Sequence, residues 1–115
     1  MLDVSEERFE QLVDDGLRRI PRELLRNVNN VAIVVEDFNL ESPGILGLYE
    51  GIALTDRTSE YTSALPDKIT IYRESLCDFC ETEEELVEQV AITVIHELAH
   101  HFGIDDATLH RLGWG

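Results

Sequence analysis

The order of apolar and polar positions divides the chain into a helical start, a strand-rich middle and a helical end. From Ser5 to Ile20, Phe9, Leu12, Val13, Leu17 and Ile20 recur at helical spacing with charged residues between them, which predicts an amphipathic helix. Ser5 is a suitable N-cap, and Glu6 and Glu7 suit the positive end of the helix dipole. Pro21 ends this helix and can open a short second one through Arg26. After the turn signal Asn29-Asn30, Val31 to Val35 is continuously aliphatic, the composition of a central strand buried on both faces. Glu36 to Gly44 reads as a loop. Ile45 to Leu54 reads as a strand in which Gly47 and Gly51 permit a bulge or a close backbone approach. Ile69 to Arg73, following the turn signal Pro66-Asp67, alternates as a half-covered strand does. Thr82 to Glu85 is a T-x-x-E capping box opening a helix that runs to Phe102, and Gly103 stops it. Asp106 to Leu112 forms a short last helix. Strands in the middle and helices at both ends make the fold α+β.

Composition narrows the partners. In 115 residues, 24 acidic against 9 basic side chains give a formal net charge of -15, which repels nucleic acid and anionic membranes. No charged-then-apolar leader is visible, and no apolar run approaches the roughly 18 residues of a membrane span, so a soluble cytoplasmic protein is expected. Cys77 and Cys80 form a lone C-x-x-C. Without a second cysteine pair to complete a structural zinc site, they are read as loop thiols.

Candidate chemistry concentrates in Thr93 to Asp106, T-V-I-H-E-L-A-H-H-F-G-I-D-D. At about 100° per residue, Val87, Val90, Ala91, Val94, Leu98 and Phe102 form one stripe, which faces the sheet. His96 and His100 stand about 40° apart on nearly the opposite side. Histidines at this spacing occupy successive turns and can converge on one point, as zinc ligands do. A further ligand is expected after Gly103, where the chain can turn back. Asp106 is placed to supply it, with Asp105 and His110 as rivals. Glu97 borders the metal face and can accept a proton from activated water, then deliver it to a leaving amine. Tyr49, Tyr61 and Tyr72 are candidate donors to the oxyanion formed on carbonyl attack. His101 is read as packing or as support for the ligands, and Trp114 as sealing the last helix.

Four stretches carry a resemblance: N-V-A-I-V-V-E-D at 30–37, G-L-Y-E-G-I-A-L-T-D-R at 47–57, L-P-D-K-I-T-I-Y-R at 65–73 and V-I-H-E-L-A-H-H-F-G-I-D-D at 94–106. Together they resemble the zincin clan of metallopeptidases, and more closely a family of small bacterial zincin-like proteins of HExxHxxGxxD type. The resemblance implies one minimal zincin-like domain over 1–115, with a small three-stranded mixed sheet and a long active-site helix packed under it. It implies one Zn2+ held by His96, His100 and Asp106, with Glu97 as general base. The chain departs from larger relatives in two ways: only twelve residues follow Gly103, and Met1 is the only methionine, so no methionine turn lies beneath the metal.

The function expected is zinc-dependent hydrolysis of peptide bonds, narrow or weak, in a peptide or protein laid along an exposed edge strand. Ile45 to Leu54 is the candidate edge. No nucleic-acid or membrane partner is expected, and the sequence leaves the oligomeric state open. Two alternatives stand beside it. The H-x3-H-x5-D spacing is also similar to the metal site of a small bacterial endoribonuclease family, although the acidic charge opposes RNA and that pattern does not require Glu97. The other is a non-catalytic interaction domain whose fold depends on zinc.

Overall fold

The computed structural model describes residues 2–25, 31–51 and 67–114. The amphipathic start forms α1 (Glu6–Arg18), capped as expected by Ser5, whose Oγ accepts the Arg8 N–H at 3.1 Å. Its inward face packs on α4 (Glu83–Phe102). A Cβ on Gly16 would lie 2.8 Å from the Val87 carbonyl oxygen and from the Val90 side chain, so this helix crossing needs a glycine. Arg8–Glu83 and Arg19–Glu84 bracket the crossing as exposed ion pairs, where water screens most of their attraction. After Pro21 comes α2 (Arg22–Leu25); Arg26 lies outside the described residues.

The strands β1 (Val31–Glu36), β2 (Gly47–Glu50) and β3 (Asp67–Tyr72) form a mixed sheet of order β1-β3-β2. β3 pairs in parallel with β1 and antiparallel with β2, so that Ile69 stands opposite Ile33 on one side and Tyr49 on the other. Among the described residues the aliphatic run of β1 is therefore an edge, not the centre, and its residues are half-buried or exposed rather than buried on both faces. A short aliphatic run suits any strand with one covered face, and periodicity alone does not tell edge from centre. The expectation for β3 is corrected in the same way. Thr70 and Tyr72, read as its solvent side, are buried, and the Tyr72 hydroxyl accepts from Asn39 Nδ2 at 2.9 Å. Positions 52–54 of the expected second strand lie outside the described residues.

β3 runs directly into α3 (Arg73–Phe79), where sequence reasoning places a loop. Its N-cap, Tyr72, makes no side-chain capping bond, so no capping residue marks the start. Cys77 lies within α3, which corrects its reading as a loop thiol, whereas Cys80 is the extended C-cap just past the helix; both are buried. Burial pushes both thiols up, Cys80 to about 11, and favours the unreactive neutral form.

Thr82 caps α4 by accepting the Glu85 N–H at 3.1 Å, while the Glu85 carboxylate returns to the Glu81 N–H. Gly103 ends it in the left-handed region, at φ 65°. The expected stripe is buried from Val87 to Leu98 and half-buried at Phe102. At Val87 and Val90 it meets Gly16 of α1 and not the sheet, which corrects the expectation that the whole stripe faces the sheet. Leu86, Thr93 and Ile95 are buried as well. The buried arc is wider than one stripe because α4 is held between α1 and the sheet. The last element, α5 (Asp106–Arg111), is capped by Asp105. A mixed three-stranded sheet with an N-terminal helix and a long packed helix is the α+β architecture expected. Among the described residues no helix is long and apolar enough to cross a membrane.

Candidate active site

The site is built where α4 runs beside β2. The Tyr72 N–H donates to the Leu46 carbonyl at 3.0 Å, so by antiparallel alternation Leu46, Leu48 and Glu50 bond toward β3. The N–H and C=O groups of Gly47 and Tyr49 then face away from β3. On that side, a Cβ on Gly47 would meet Thr93 Cγ2 at 2.6 Å, and the Tyr49 N–H donates to Glu97 Oε1 at 2.8 Å. The two spacings match: one helical turn, from Thr93 to Glu97, advances about 6 Å, and two strand residues advance about 6.8 Å. One turn further, His101 stacks on the Tyr49 ring with centroids 4.2 Å apart and planes inclined by 15°. Thr93, Glu97 and His101 are thus the row of α4 that meets β2.

His96 and His100 occupy the neighbouring row, exposed and one turn apart, while Glu97 is half-buried. The His100 and His101 rings meet edge to face at 5.0 Å. His101 therefore packs on β2, as one of its two expected roles. Asp105 caps α5, its Oδ1 accepting the Thr108 N–H at 2.7 Å; hydrogen bonding from Thr108, first through its side chain and then through its main chain, lowers the Asp105 pKa and commits the carboxylate. Asp106 sits in the first turn of α5 and His110 in the last, both exposed. Leu109 is buried, and Ile104, Leu112 and Trp114 pack against the core, so α5 is anchored through its apolar side.

Among the described residues no three His, Cys, Asp or Glu side chains converge as a metal-binding group. The structure brings His96, Glu97 and His100 to one end of α4 and does not bring Asp106 to them. The imidazole pair fits zinc by chemistry and spacing; the third ligand is not in position. Of the tyrosines, Tyr61 lies outside the described residues, the Tyr72 hydroxyl is engaged by Asn39, and the Tyr49 hydroxyl donates to Asp67 Oδ2 at 2.7 Å. The feature that sequence reasoning missed is the Tyr49 main-chain N–H as the partner of Glu97. Its one trace in the sequence is Gly47, which signals close approach without saying to what.

A helix bearing H-E-x-x-H beneath the antiparallel edge of a small mixed sheet is the arrangement of a zincin. The family model for zincin-like metallopeptidases matches residues 28–114, and the chain belongs to this family. No match was found among curated proteins.

Proposed function

We propose that this protein is a zinc-dependent metallopeptidase in which His96, His100 and Asp106 hold one Zn2+ and Glu97 is the general base. The observation that most supports this reading is the seating of Glu97 on the Tyr49 N–H, on the side of β2 turned away from β3, which sets a proton-accepting carboxylate beside the strand on which a peptide would be laid. A bound zinc ion supplies Lewis acidity, acidifying water and polarising a carbonyl. The reading requires Asp106 to approach the imidazole pair.

A substrate strand pairing with β2 needs the N–H of Tyr49, the group Glu97 occupies. The incoming carbonyl takes that N–H, and the freed carboxylate accepts a proton and later returns it to the leaving amine. A peptide that pairs as a strand thus unlocks the base, while a substrate unable to pair does not, so cleavage should be confined to peptides that can pair. Glu97→Gln should retain zinc by metal analysis and lose peptide cleavage by about 10²-fold or more. Cleavage equal to wild type would refute the assignment. Single-stranded RNA in the same assay tests the ribonuclease alternative, for which the substitution should be neutral.

A further inference from the structure

A second strand edge, on the opposite side of the sheet from β2, borders a groove that the reading above does not use. β1 pairs only with β3 among the described residues, so its other edge offers main-chain groups that no described strand pairs. Its sequence, V-A-I-V-V-E, has no proline or lysine of the kind that blunts an exposed edge. α1 packs on α4 rather than on β1, and between α1 and β1 lies a groove of about 410 Å3. Its apolar walls are Val13 and Leu17 from the helix and Ile33 and Val35 from the strand, and Glu10 and Asp14 stand along its helix side.

Glu10 and Asp14 make no ion pair among the described residues, whereas Arg8, Arg18, Arg19, Lys68, Arg73 and Arg111 each have a carboxylate partner. The two groove carboxylates are one helical turn apart, about 6 Å, close to the roughly 6.8 Å between alternate residues of an extended strand. A strand added to β1 would therefore present every second side chain to this pair. Lysine or arginine fits those positions: the alkyl stem covers Val13 and Leu17 and the cation reaches the carboxylate.

We propose that the β1 edge and the α1 groove form a docking surface for an extended, basic segment of another protein, with lysine or arginine at alternate positions. A second copy of this chain is a poor occupant, because its own β1 contains no cation and each copy carries a net charge of -15.

The probe is a fluorescein-labelled hexapeptide of alternating lysine and valine, followed by anisotropy against the full chain at an ionic strength of about 0.15 M, where charges more than about 8 Å away are largely screened. It should bind, and methylating the amide nitrogens that face β1 should weaken it about tenfold or more by blocking strand pairing. Glu10→Lys with Asp14→Lys should do the same. Asp78→Lys with Glu88→Lys makes the same charge change outside the groove and should alter affinity less than about twofold. Three results would overturn the proposal: no binding, equal binding of the methylated peptide, or equal loss in both charge-reversed proteins. Sedimentation showing a dimer broken by Glu10→Lys with Asp14→Lys would also overturn it, in favour of self-association.

Discussion

The Tyr49 main-chain N–H donates to Glu97 Oε1 at 2.8 Å, joining the proposed proton carrier to the proposed substrate-binding strand. Glu97→Ala leaves that N–H without its acceptor. A peptide adding to β2 then gains a bond without displacing one, and a net hydrogen bond of about 1 kcal/mol corresponds to about fivefold tighter binding. Glu97→Gln keeps an acceptor at the same place and should bind a non-cleavable peptide as wild type does. Calorimetry on the two variants measures the difference. Equal affinities would mean that substrate does not compete for the Tyr49 N–H.

The same contact depends on how near β2 lies to α4, which Gly47 sets. A Cβ there meets Thr93 Cγ2 at 2.6 Å and the Thr70 carbonyl oxygen at 3.2 Å. Gly47→Ala should cost about 1–3 kcal/mol through overpacking, read as a lower Tm. Thr93→Ala in the same chain removes the opposing methyl and should recover part of the loss. Full recovery is not expected, since the Thr70 carbonyl belongs to the central strand and cannot move aside. Simple additivity of the two substitutions would show that the Gly47–Thr93 approach is not what limits the packing.

These relationships mark where sequence reasoning stops. α1 and α4 were legible because each combines a capped start with a helical apolar period, and Ser5, Thr82 and Gly103 act as their residue types predict. Strand order was not legible. Both β1 and β3 carry aliphatic residues, and the centre is decided by which strand pairs on two sides, a long-range property. α3 was missed because it starts without a capping side chain directly after a strand. In the site, the H-E-x-x-H residues were found from local spacing alone. Their tie to Tyr49 spans 48 positions and follows from strand order, so no local pattern contains it.

Burial of Cys80 carries a pH dependence with a definite sign. Its pKa is raised from 9.0 to about 11, chiefly by desolvation, so the unfolded chain loses this proton before the folded one does. Stability from this group is therefore complete below about 9 and is lost as pH rises toward about 11. Cys77 is raised for the same leading reason and acts in the same direction. Denaturant midpoints measured from neutral pH upward should fall across this window, and fall less in Cys80→Ala, whatever that variant loses in packing at neutral pH. An unchanged alkaline slope would assign the fall to other groups.

Asp106 supplies the sharpest test of the metal site. His96 and His100 are exposed, and the core of Phe9, Leu12, Ile69, Ile71, Val90 and Val94 closes without them. Removing zinc with a chelator should therefore leave the far-ultraviolet circular dichroism of the folded chain in place; unfolding would favour a zinc-stabilised interaction domain instead. If Asp106 is the third ligand, it must move toward the imidazoles, and α5 must move with it. Trp114 is the only tryptophan in the chain, and its main-chain N–H donates to the Leu109 carbonyl at 2.8 Å, so it reports on α5. Zinc should shift Trp114 fluorescence in wild type. Asp106→Ala should remove that shift and weaken zinc binding by about 10–100-fold, while His96→Ala should remove both. Zinc binding at wild-type affinity to Asp106→Ala, with the fluorescence shift intact, would transfer the ligand role to another carboxylate or to His110.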